Sequence, residues 1–173
     1  MAQHHGPHGG HHGHHGQHGE VGHGQYAGEH ARDVASLSDD EVTGHLDGRG
    51  MGYARPAEFN GYPGPMHVLQ LKQELGLSKD QVAATTALFE RMQAKARDAG
   101  RAYIEAEKAV DAAFRSGNAD PRQIAELVRA ADLRRAEKRL AHLEAHLEMA
   151  RLLNADQRKR YAELRGYDAP RSK

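Results

Sequence analysis

From Leu37 onward, apolar residues recur at steps of three and four, the period of helices that bury one side. Leu37-Ser38-Asp39-Asp40-Glu41-Val42 sets Ser38 as an N-cap with Glu41 three residues on. Leu37 and Val42 stand where a hydrophobic staple closes. This first helix is short and stops near Gly48. The stretch from Gly48 to Gly64 carries too much glycine and proline for regular structure. Pro65 can open a second helix at its first position, with Val68, Leu71 and Leu75 on one face up to Gly76.

The long helices are better marked. Ser78 caps the first, Gln81 completes its capping box, and Leu77 with Val82 makes the staple. Its stripe runs Val82, Thr85, Phe89, Met92, Ala96, Ala99, Tyr103, Ala106, Val110, Ala113, a 3.5-residue repeat like a coiled-coil seam. Gly100 is the expected place for a bend, and Gly117 ends the helix. Asp120-Pro121 starts the next, which runs to Leu153, and a final helix spans Asn154 to near Gly166. The fold class is all-α: an antiparallel hairpin of two helices of roughly 35 residues, each about 50 Å long at 1.5 Å per residue, with shorter flanking helices. No stretch reads as a strand.

Placed around its axis at about 100° per residue, the second long helix shows two apolar stripes. Leu133, Ala136, Leu140, Leu143, Leu147 and Ala150 form one; Ile124, Val128, Ala131, His142, His146, Met149 and Leu153 form the other. Both are expected to be buried, one in the hairpin and one against another element. His142 and His146 lie one turn apart, a spacing at which two imidazoles can share a metal ion. Met149 follows in line. His67 is the first candidate for a third ligand, with Met51 and Glu74 behind it. The alternative is a pair of histidines packed at a seam or against the Gly/Pro-rich loop. Arg134, Arg135, Lys138 and Arg139 read as a solvated face paired with Asp132, Glu137 and Glu144.

Composition changes this picture at the N-terminus. The chain has 173 residues, 24 basic and 24 acidic side chains, no cysteine, no tryptophan, 14 histidines and 19 glycines. Balanced charge argues against nucleic acid as a partner. Absent cysteine excludes disulfides, thiolate nucleophiles and Cys-ligated zinc. No run approaches the ~18–20 apolar residues of a membrane span. His4, His5, His8, His11, His12, His14, His15, His18, His23 and His30 crowd the first 30 residues, separated mostly by glycine. Such a leader buries too little to offset ordering entropy, so residues 1–30 are expected to be a disordered tail that chelates zinc, copper, nickel or cobalt without selectivity. An engineered tag is usually an uninterrupted His run, and this one is irregular. The helical domain is placed at 31–168, with a C-terminal tail at 169–173. The start shows no signal-peptide pattern; Met1-Ala2-Gln3 fits a start placed before a mature chain.

Leu77-Ser78-Lys79-Asp80-Gln81 and Leu153-Asn154-Ala155-Asp156-Gln157 are near-repeats, each a staple residue, an oxygen cap, an acid favoured by the helix dipole and a glutamine reaching back. With them the chain resembles the Spy/CpxP-like periplasmic family, whose mark is a twice-repeated Leu-Thr-x-x-Gln; Ser78 and Asn154 stand where that motif has threonine. It is similar to the heavy-metal sensor and resistance branch related to CnrX and ZraP. The carrying segments are Gly50-Met51-Gly52, Ala57 to Leu69, His142 to Leu147 and Tyr161 to Tyr167, within about 37–168. The resemblance implies a bent helical hairpin, usually a homodimer, in the periplasm, acting as an ATP-independent chaperone or a metal-responsive stress sensor. CnrX-type sensors carry a membrane anchor and an ordered N-terminal His-x-x-x-His, features not expected of this body.

Two functions follow as expectations. The first is a soluble periplasmic metal-binding protein of the sensor/resistance type, holding a transition-metal ion through the leader and an ordered site at His142 and His146, with a membrane regulatory protein as a partner. The second is a holdase for unfolded client proteins. An enzyme is not expected: no nucleophile–base pair, phosphate-cradling loop or His-Glu-x-x-His is present.

Overall fold

The computed structural model describes residues 24–167. Expectations that fall on residues 1–23 and 168–173, including the ligand roles of His4, His5, His8, His11, His12, His14, His15 and His18 and the C-terminal tail, lie outside them. The chain divides at His30/Ala31 into two units. The first holds, among its described residues, two turns closed by Ala27 N–H to the Gly24 carbonyl and Glu29 N–H to the Tyr26 carbonyl.

The second unit is all-helical, with no strand among the described residues. Its elements are α1 (Asp39–Leu46), α2 (Arg55–Glu58), α3 (Pro65–Gln70), α4 (Lys79–Arg115), α5 (Pro121–Leu152) and α6 (Ala155–Arg165). Ser38, Ser78 and Asn154 each close a full capping box with Glu41, Gln81 and Gln157. Asp120 accepts from the backbone N–H groups of Arg122 and Gln123 ahead of Pro121. Each such cap contributes about 1 kcal/mol. Gly166 ends α6 in the left-handed region, φ 68°.

Two local expectations are corrected. α3 stops at Gln70 rather than Gly76, because Leu71 leaves helical geometry (φ −101°, ψ 19°) and turns carry the chain onward. The Gly/Pro-rich stretch also contains one helical turn, α2, seeded by Pro56 in its first turn.

α4 and α5 form the long antiparallel hairpin. The ion pairs Arg91–Glu148 and Lys95–Glu144 run in opposite sequence directions, as antiparallel packing requires. Its inner faces are rich in alanine: Ala96 and Ala99 on α4, Ala131, Ala141, Ala145 and Ala150 on α5 are all buried. Small side chains let helix axes approach closely. The leucine stripe of α5 is not in this seam: Leu133, Leu140 and Leu147 are 56, 53 and 48% exposed. The buried face of α5 is the one bearing the histidines.

Two apolar clusters stabilise the unit. Val68, Leu75, Leu88, Met92, Ala145, Met149, Leu153 and Tyr161 form one near the open end of the hairpin. Val34, Leu37, Tyr103, Ile104 and Ala131 form the other, further along. Between Ala131 and Met149 the buried face of α5 carries Lys138, His142 and His146, so a polar layer separates the clusters. Gly100 is where α1 crosses α4: a Cβ there would collide with the His45 carbonyl.

Candidate functional site

The polar layer opens into a half-open cavity of about 550 Å³. Its walls are the loop from Asp47 to Gly52, the α2 segment, the start of α3, and one face each of α4 and α5. His67, His142 and His146 all line it, so the structure brings together the three imidazoles singled out from sequence. Met51 also lines it, with Met66 and Met92. Glu74 does not; it is exposed on the turn after α3. Met149 does not either. Three residues past His146, it is turned about 60° around the helix and lies wholly buried with Val68, Leu75 and Leu153.

Hydrogen bonding fixes the rings. His146 Nδ1 donates to the Tyr62 carbonyl at 2.8 Å, since a carbonyl can only accept, leaving Nε2 as a lone pair. His67 Nδ1 likewise donates to Gln70 Oε1 at 3.0 Å. His142 is 5% exposed, and its Nε2 is buried without a hydrogen-bond partner. The Gly50 backbone lies beside that ring: a Cβ there would stand in ordinary contact, 3.8 Å from Cε1 and Nδ1. Burial above all, then the charge of Lys138 and the neighbouring His146, pushes the His142 pKa down to about 4. The imidazole is therefore neutral at pH 7, the form that ligates metals.

Glycine shapes the wall beside His146. At Gly64 a Cβ would stand 2.9 Å from both Glu58 Oε1 and His146 Cε1, so the loop backbone occupies space that a side chain would take from the ring. Tyr161, from α6, donates its hydroxyl to the Glu58 carboxylate at 2.8 Å, and the Gly64 N–H donates to the same hydroxyl at 3.4 Å. Burial and the Glu58 charge raise the Tyr161 pKa, so this phenol stays protonated.

Next along α5, Lys138 is fully buried, correcting its assignment to the solvated face. Its ammonium donates to the Gly44 carbonyl at 3.0 Å and to His45 Nδ1 at 3.2 Å, and meets Met51 Sδ at 3.3 Å. It also lies 5.9 Å from the Tyr53 ring centroid. No carboxylate is among these partners. Burial, with Arg49 nearby, lowers its pKa to about 8. His45 is buried against Tyr103 and pushed to about 4, by desolvation first and by Lys138 second. The other cations of the run are exposed as expected and pair within the helix, Arg134 with Glu137 and Arg135 with Asp132.

The donor set is thus three imidazoles with unengaged Nε2 atoms, one of them buried and orphaned, and several thioethers. In the arrangement present, no three His, Asp or Glu side chains among the described residues stand close enough together to hold a metal ion. No helix among them is long and apolar enough to cross a membrane.

Sequence reasoning missed Lys138, His45, Glu58, Tyr62, Gly64 and Tyr161. The alternative weighed from sequence, histidines packed against the Gly/Pro-rich loop, did anticipate the wall: Gly50 lies against His142, and Tyr62 and Gly64 against His146. No protein-family description, curated protein or solved structure matches the chain.

Proposed function

We propose that this is a metal-binding protein of the periplasmic sensor/resistance type, in which the His/Gly leader gathers transition-metal ions and the His142–His146 pair forms an ordered site. The observation that carries the reading is the state of these two rings. A buried imidazole nitrogen without a partner costs free energy on the order of 1–3 kcal/mol, and a bound cation would satisfy His142 Nε2. The Nδ1–H of His146 is held by the Tyr62 carbonyl, the kind of partner that orients metal-ligating histidines. His67 lines the same cavity from its half-buried rim. When bound, the ion would supply Lewis acidity and charge; the chain's own part is to hold the two buried imidazoles in the cavity wall.

The test is metal titration of the full-length chain in two forms, one natural and one with the leader histidines replaced by asparagine. The leader-replaced chain should retain about one equivalent, lost in His142→Ala/His146→Ala. If it retains none, the ordered site is overturned. If the natural chain also retains none, metal binding as a whole falls.

A second reading, an ATP-independent holdase, is favoured by one feature: the exposed ladder of Leu133, Leu140 and Leu147 on α5. Leucines at sevenfold spacing on an open helix face, flanked by charged residues, suit weak contacts with unfolded chains. They suit a homodimer seam equally.

A further inference from the structure

Resting on the ordered site just proposed, we infer that its ion is copper in the +1 state, held by His142, His146 and the thioether of Met51. Two features of the donor set lead there. Zinc asks for four ligands and nickel or cobalt for more, drawn here from nitrogen and oxygen, yet no three such side chains converge among the described residues. Copper(I) takes few ligands and favours soft ones. The chain has no cysteine, but three of its five methionines, Met51, Met66 and Met92, line this one cavity.

Backbone geometry selects Met51. Among the described residues it alone, other than glycine, has a positive φ, 46°. The left-handed region costs such a residue roughly 1–2 kcal/mol, and strain of this kind gathers at ligand sites. Met51 is 39% exposed overall, and its Sδ meets the buried Lys138 ammonium at 3.3 Å. The sulfur lone pairs therefore already face a cation. Lys138 sits four residues before His142, one turn away on the same face of α5, so Sδ already meets the face that bears the imidazoles; binding requires it to leave the ammonium by turning about the flexible methionine side chain. Lys138 keeps the Gly44 carbonyl and His45 Nδ1 when the sulfur leaves. Met92 belongs to the apolar cluster, and Met66, 44% exposed against 39% for Met51, follows Pro65 in α3 without a positive φ.

The experiment uses the full-length chain with leader histidines replaced by asparagine, titrated anaerobically with copper(I) against bicinchoninate and, separately, with zinc(II). One copper(I) should be retained. Met51→Leu should weaken it by at least about tenfold while leaving zinc binding unchanged, and Met66→Leu should stay within about twofold. Because Met51→Leu could disturb the strained loop, copper-edge X-ray absorption of selenomethionine-labelled chain gives an independent reading, with a selenium neighbour expected. Copper(I) held equally by Met51→Leu, with no selenium in its shell, overturns the inference. Zinc retained more tightly than copper(I) also overturns it while the ordered site stands. Neither ion retained removes both.

Discussion

Gln81 and Gln157, the glutamines that close the capping boxes of α4 and α6, hydrogen-bond to each other in both directions, at 2.9 and 3.1 Å. Each also donates to a chain end opposite, Gln81 to the Leu152 carbonyl and Gln157 to the Leu75 carbonyl. The repeated cap is therefore a clamp that ties the start of α4 to the α5–α6 corner. Replacing one glutamine leaves the other with unpaired polar atoms. Gln81→Ala should cost about 1–3 kcal/mol in denaturant unfolding, and the double change with Gln157→Ala should cost less than the sum of the singles.

Gly100 tests the docking of α1. In an exposed helix interior, Gly→Ala gains about 1 kcal/mol. Here the added methyl would run into the backbone of His45, which cannot step aside as a flexible side chain would. Gly100→Ala should be net destabilising by about 1–3 kcal/mol. It should also speed amide exchange in α1 before the rest of the unit.

Acid should weaken the metal-free chain through its buried imidazoles. In the folded state burial holds the His45 pKa at about 4, against an ordinary 6.5. Its contribution is fully present above pH 6.5 and is lost as pH falls toward 4, since the unfolded chain takes up the proton first. Urea midpoints should fall through that window, and His45→Gln should flatten the fall.

Lys138 acts at the other end of the scale. Its folded pKa near 8 lies below the ordinary 10.5. Between those values the unfolded chain keeps a proton that the folded one has shed, so stability should rise with pH from about 8 to 10. Above 10 the trend should be opposed by Tyr103, which burial and Glu107 hold at about 12. Lys138→Met should abolish the rise.

The leucine ladder separates the two proposed functions. Replacing Leu133, Leu140 and Leu147 together by Ser should change stability little for side chains this exposed, within about 0.5 kcal/mol each. If the chain is a holdase, suppression of client aggregation should be lost while metal retention is unchanged. If aggregation is suppressed as before, the ladder does not bind clients.

Much of the backbone was legible because it is written locally. Ser38, Ser78, Asp120 and Asn154 cap helices through partners two or three residues away, and a long run of three-and-four spacing has one reading. The α5 faces were less legible. Leucine outranks alanine, lysine and histidine in hydrophobicity, so Leu133, Leu140 and Leu147 looked like core; the close hairpin instead selects alanine, and the loop over the other side covers Lys138 and the histidines. The cavity walls escaped for a different reason. Tyr62 meets His146 across 84 positions and Tyr161 meets Glu58 across 103. No spacing rule links residues so far apart.

That last pairing orders events during synthesis. The loop at 58–64 emerges early, yet the hydroxyl that ties Glu58 and Gly64 together comes from the closing helix, near the end of the chain. A nascent polypeptide halted before Tyr161 leaves the ribosome would have every imidazole of the cavity but not the bolt on its wall.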